Sequence, residues 1–160
     1  MGFSKCIAPA AATHTYDPAS PPAPRPEIAK HQSSLEASQA RSLQLALAAA
    51  RTAEENRGQN IVILDMRKLT PVFDYFVIVT GNSRRQLHAI SDEIEHAIAS
   101  ELKDKRLSSE GYNESRWILL DYGNVVIHLF DEETRDFYAL EDFWSHADRV
   151  LLPSQGEQPK

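Results

Sequence analysis

The chain has 160 residues, 17 Lys+Arg against 23 Asp+Glu for a formal charge of −6, nine prolines and one cysteine. This length suits one domain of about 100–150 residues plus a tail, and the lone Cys6 excludes an internal disulfide framework or a Cys-rich zinc site. No apolar run approaches the roughly 20 residues that span a bilayer. The acidic balance argues against a general nucleic-acid coat, so little direct nucleic-acid contact is expected.

Six of the nine prolines fall in residues 1–26. A stretch so rich in Pro, Ala and Thr buries too little surface to offset chain entropy, so residues 1–34 are expected to be a disordered tail. Its start, Met1-Gly2-Phe3-Ser4-Lys5-Cys6, approaches a myristoylation signal but has Cys6 where Ser or Thr is preferred. The tail lacks a signal-peptide apolar region and is too poor in Arg for a transit peptide. An unmodified, cytoplasmic protein in a reducing compartment is the default expectation, with no membrane partner.

A domain is expected over residues 35–152, followed by a flexible C-terminus at 153–160. Leu43, Ala46, Leu47, Ala50 and Ala53 recur at helical spacing, with Gly58 as a stop. Ile61–Leu64 and Tyr75–Val79 read as strands, the second apolar on both faces like a central strand with helices on each side. Ser83 and Gln86 form a capping-box pattern opening a helix whose stripe is Leu87, Ile90, Ile94, Ala97, Ile98 and Leu102. Trp117–Leu120 and Val125–Phe130 read as two more strands, joined through Asp121-Tyr122-Gly123-Asn124 as a hairpin. The stretch from Tyr75 to Leu120 is long enough for a parallel crossover. The expected fold is a single α/β (α+β) domain with a mixed parallel and antiparallel sheet flanked by helices. Tyr138–Trp144 reads as a short helix docking aromatics at the edge of the core.

His88, Asp92 and His96 stand at i, i+4 and i+8, a spacing that suits a metal, but they fall opposite the apolar stripe. They are read as a solvated helix face. Gly81-Asn82-Ser83 after a strand, followed by Arg84 and Arg85, could bind a phosphate at a helix N-terminus. It also resembles the Gly-Ser start of a magnesium-dependent nucleotidyltransferase. Such an enzyme needs paired carboxylates on a neighbouring strand, whereas Glu93 and Glu95 lie within the helix and Asp65 and Asp74 are isolated. A capping turn with two surface arginines is the simpler reading. His128 is read as a hydrogen-bonded core residue, with a place near a partner surface as the alternative. No catalytic constellation emerges, and neither a metal nor a cofactor is expected.

Charge distribution is more informative. Residues 110–148 carry ten acids against two arginines, while residues 35–109 balance to zero. Tyr112, Trp117, Tyr122, Phe137, Tyr138, Phe143 and Trp144 are interleaved with those acids. Aromatic anchors in an acidic field suit an interface with a basic protein, the field steering and the rings anchoring. A solvated acidic surface with every ring in the core is the competing reading.

Five stretches together resemble the Iojap family of ribosomal silencing factors: 59–65, 74–84, Glu110-Gly111, 117–130 and 135–144. They cover roughly residues 40–150, in order and at compatible spacing. Asn124 stands where the family usually has Asp, and Phe73 where Thr usually precedes Asp74. The resemblance implies a nucleotidyltransferase-like fold without its active site, and a non-enzymatic regulator of translation. It implies binding to the large ribosomal subunit through the fourteenth large-subunit ribosomal protein, on the face that meets the small subunit. It also implies a link to large-subunit assembly and a possible homodimer. The docking surface expected from it is the Trp117-to-Asn124 strand and turn, with Asp74 and the acidic stretch around Glu141. Trp117 is the expected anchor, Asp121 and Glu141 would answer basic side chains, and Tyr122 and Asn124 complete the set.

Overall fold

A computed structural model of the chain describes residues 26–155. The expectations for the myristoylation-like start and the Pro-rich run at 1–25, and for the last five residues, lie outside that range. In chain order the elements are α1 (Pro26–Glu55), β1 (Gln59–Asp65), β2 (Tyr75–Gly81), α2 (Arg84–Ala97), β3 (Ser108–Glu110), β4 (Trp117–Asp121), β5 (Val125–Asp131), α3 (Glu132–Tyr138), α4 (Leu140–Phe143) and β6 (Asp148–Val150). A π-helical turn, Ile98–Leu102, extends α2, and a 3-10 turn, Pro153–Gln155, follows β6.

The six strands form one sheet in the order β3-β4-β5-β2-β1-β6. β2 and β5 pair in parallel from Tyr75 opposite Val125 to Gly81 opposite Asp131. Every other pairing is antiparallel. The mixed sheet is as expected, but the crossover from β2 ends on β5 rather than on β4. β4 is instead the outer arm of a hairpin on β5, its last residue Asp121 opposite Val126. β5 is apolar on both faces and therefore takes the interior position, whereas half-buried Trp117, Leu119 and Asp121 suit β4 to the outer one. The three-residue strands β3 and β6 carry little periodic signal and were not expected.

Strand alternation divides the core in two. Ile61 and Ile63 of β1, Tyr75, Val77 and Val79 of β2, Ile118 and Leu120 of β4, and Val125, Ile127 and Leu129 of β5 face α1 and α2. From α1 come Leu45 and four alanines (46, 49, 50 and 53), small enough to let the helix lie close on the sheet; α2 contributes Leu87, Ile90 and Ile94, and the π-helical turn Ile98. The other face presents Leu64, Phe76, Ile78, Val126 and Phe130, with Trp117, Leu140 and Trp144 packed on them. The two long helices thus share one face, and only short α3 and α4 with the turn after them lie on the second. Helices therefore flank the sheet on both sides, as expected, but the second face is only thinly covered.

The capping box at α2 forms, with the Ser83 hydroxyl accepting from the Gln86 amide at 3.2 Å and the Gln86 side chain accepting from the Asn82 amide at 2.6 Å. The same Gln86 donates to the carbonyls of Asn56 (3.2 Å) and Arg57 (2.9 Å), fastening the end of α1 to the start of α2. Residues 26–34, expected within a disordered tail, are the first turns of the 30-residue α1. Residues 27–38 are exposed, so this overhang is extended from the packed part of the helix rather than held by the core. At the other end Ser154, placed by sequence in a flexible terminus, donates to the Glu54 carboxylate at 2.8 Å.

The turn leading into β4 depends on one glycine. Gly111 has φ +74°, and a Cβ there would sit 1.9 Å from the Trp117 carbonyl oxygen. Gly111→Ala therefore meets a backbone clash and a left-handed conformation at once. Its urea midpoint should fall by an amount equivalent to about 2 kcal/mol or more, with an unchanged m-value.

Candidate functional site

The second sheet face is where the expected docking residues converge, but in two groups. Trp117 and Asp121 point to that face from opposite ends of β4, separated by about 13 Å at a strand rise near 3.3 Å. Trp117 is half-buried. Its indole packs against Phe130 (centroids 4.9 Å apart) and Tyr138 (4.9 Å), and donates from Nε1 to Nδ1 of His128 at 3.2 Å. One edge of the ring lines a groove with Glu114, Glu133, Phe137 and Tyr138. The ring is therefore both core and surface.

Phe137 and Phe143 are 80% and 75% exposed, and Tyr138 is 52% exposed. The competing reading, with every aromatic buried, fails at these positions. Around them Glu132, Asp136 and Asp142 are exposed and make no ion pair among the described residues. Arg116 is already engaged by Glu133 (2.8 Å) and Asp131 (3.4 Å). These three rings were visible in the sequence as aromatics among acids. Their exposure was not, because α3 and α4 are too short to show a dependable apolar stripe.

The other group gathers where β2 and β5 begin. The Asp74 amide donates to the Asn124 carbonyl at 2.7 Å, and the Asp121 carboxylate accepts from the Gly123 amide at 2.7 Å. Asp74, Asp121 and Asn124 thus share one rim. Tyr122 leaves this group: its ring packs into the α1/α2 core, and its hydroxyl has no partner inside. Burial pushes that phenol up to about 12. Tyr122 serves packing more than contact.

Glu141 is also spent internally. Arg135 of α3, 8% exposed, donates from Nε to Glu141 at 3.3 Å, from Nη2 to the same carboxylate, and from Nη1 to the Thr80 hydroxyl at 2.7 Å. This three-way bond ties α3 and α4 to the end of β2. A carboxylate so engaged answers Arg135 rather than an incoming lysine.

The helix-face reading of His88 and Asp92 needs correction. His88 Nε2 lies 2.7 Å from the Tyr112 carbonyl and 2.6 Å from Ser115 Oγ, its ring stacks on Tyr112 at 4.1 Å, and Asp92 accepts from the Tyr112 hydroxyl at 3.0 Å. Both side chains clamp the 111–115 turn against α2, and only His96 is simply exposed. At the Gly81–Ser83 turn, Ser83 is a helix cap with Arg84 and Arg85 exposed beside it. Asp131, opposite Gly81 in register, accepts from the Thr134 amide at 2.7 Å as the cap of α3. Among the described residues no group of three His, Cys, Asp or Glu is placed to hold a metal ion.

His128 is buried at 5% exposure, with Phe76 edge-on at 5.0 Å. Burial pushes the imidazole down from 6.5 to about 4. Between those values the unfolded chain takes up a proton that the folded chain refuses. The contribution is therefore complete above about pH 6.5 and is lost as pH falls toward about 4. At pH 4.5 the loss from this residue should be about 2–3 kcal/mol relative to pH 7. Urea unfolding at both values should show that much less acid destabilisation in His128→Leu than in the native chain.

Comparison with known proteins adds an independent line. Residues 39–160 match the family model described as "Ribosomal silencing factor during starvation". The chain is 40% identical over 100 residues to the ribosomal silencing factor RsfS of Bacillus subtilis, covering 62% of this chain and 83% of that protein. It is 32% identical over 97 residues to the mouse mitochondrial assembly of ribosomal large subunit protein 1, spanning 57% of this chain but 41% of that protein. Among solved structures, an X-ray structure of a Chromobacterium violaceum protein superposes with a TM-score of 0.61 at 29% identity, covering 74% of this chain and 89% of that one. With three quarters of its length matched in family pattern and its sheet matched in space, the chain belongs to the RsfS (Iojap) family of ribosomal silencing factors.

Proposed function

We propose that this chain binds the large ribosomal subunit through the fourteenth large-subunit ribosomal protein, at the face that meets the small subunit, and represses translation by blocking subunit association. Membership of the silencing-factor family supports the ribosomal role, and the mouse relative's name connects that protein to the large subunit. The observation that carries the reading is the second sheet face. There a half-buried Trp117 and three exposed rings, Phe137, Tyr138 and Phe143, sit among unpaired acids. Such a face attracts a basic surface at long range and anchors it through rings at contact. The Asp74–Asp121–Asn124 rim extends the same surface along β4.

The effect needs occupancy alone. Subunit faces close across near-contact distances, so a folded domain bound to one of them excludes the other. An interface of about 800 Å² per partner supplies enough affinity to hold it there. No bond is made or broken, and the expected setting is the cytoplasm.

In a purified system, a saturating amount of the chain should co-sediment with free large subunits and prevent their joining to small ones. Unchanged joining with no large-subunit binding overturns the proposal, and so would magnesium-dependent turnover of a nucleotide. Trp117→Ala, checked for folding, should weaken binding by about 2 kcal/mol, roughly 30-fold. The pair Asp74→Lys and Asp121→Lys should slow association, with the deficit shrinking as salt rises.

A further inference from the structure

Beneath the docking face lies a histidine whose hydrogen bond has a definite direction. The Trp117 indole N–H can only donate, so Nδ1 of His128, 3.2 Å away, is the acceptor. The neutral ring then carries its proton on Nε2, which is buried and has no partner. An orphaned donor in an apolar layer is unfavourable, and a hydrocarbon side chain would avoid it. What the imidazole supplies in return is a fixed acceptor under Trp117.

The surroundings hold the imidazole in place. Ile78 of β2 and Leu119 of β4 stand opposite His128 in register. Phe76 lies edge-on, and Phe130 is parallel to it at 6.1 Å. Tyr138 lies across the Trp117 ring, and Glu114, Arg116 and Glu133 line the groove at the ring's outer edge. Burial alone favours the neutral ring. A protonated ring would carry hydrogen on Nδ1, where the indole N–H already points, so the charged form and this bond exclude each other.

We propose that His128 is a positioning residue for Trp117: by accepting from the indole N–H within a rigid aromatic layer, it holds the ring in the orientation that the docking face presents to its partner. The role rests on the docking reading above, but the bond can be tested without it. Trp117 is only half-buried, packed on Phe130 and Tyr138 with one edge open to the groove, and the hydrogen bond adds a directional constraint to that packing. Asparagine places an oxygen where Nδ1 sits, whereas leucine fills similar space with no acceptor.

The test uses the full chain, nitrogen-15 NMR and free large ribosomal subunits. The native chain should show a coupling across the bond from Trp117 Nε1 to His128 Nδ1, with the ring proton on Nε2. His128→Asn should keep the Trp117 indole resonance near its native position and bind subunits within about threefold of the native chain. His128→Leu should shift that resonance, leave the Trp144 indole unchanged as an internal control of folding, and weaken binding about tenfold. A folded His128→Leu chain with native Trp117 resonance and native binding overturns the proposal. So does a native ring with its proton on Nδ1, a result that decides the matter even where the leucine variant fails to fold. A native chain that shows the coupling but binds no large subunits defeats the docking reading and leaves the bond established.

Discussion

The parallel pairing of β2 with β5 is the constraint on which the other features depend. β2 is buried along all seven of its residues, and β5 along six of seven. Two such strands cannot lie at a sheet edge without exposing apolar side chains on a scale that folding does not tolerate. Placing them side by side in the middle forces the chain between them to cross over, which α2 accomplishes. It also leaves β4 to pair on the outside of β5 and β1 on the outside of β2. The long helices then take the face where β2 and β5 present Val77, Val79, Ile127 and Leu129.

What remains is the second face, which is incompletely covered. Seven residues of α3 and four of α4 cannot cover a six-stranded sheet, so Trp117, Leu119 and Phe73 stay half-open on this face. An apolar surface of this kind is normally a liability in a free protein. Here the exposed acids beside it favour basic partners and disfavour acidic ones, including the backbone of bare nucleic acid.

Two buried polar links hold this thin layer in shape. Arg135 joins Thr80 of β2 to Glu141 of α4, which pins the short helices although their hydrophobic area is small. His128 reaches Trp117 from the neighbouring strand. Both replace packing density with directional bonds, which suits a layer with too few side chains to specify itself by shape. The face against α1 and α2 is filled mainly by buried leucines, isoleucines, valines and alanines.

Much of this was legible in order along the chain. The β-rich runs, the stripe of α2, the Ser83–Gln86 cap and the five family stretches are local patterns, and local pattern follows from backbone geometry acting on neighbours. The sequence by itself therefore determined the long helices and the four longer strands, which side chains of each of those strands share a face, and the family to which the chain belongs, but not the short elements β3, β6 and α3. It could not separate the acids that are free from those already paired, because Glu141 is answered by Arg135 and Asp121 by the turn it closes. Nor could it show that His88 and Asp92 grip a turn twenty or more residues away, that β2 pairs with β5 rather than β4, or that Tyr122 faces inward. Those are outcomes of side chains meeting across the fold, and only the tertiary structure decided them, since such contacts depend on distances in space that no spacing along the chain encodes.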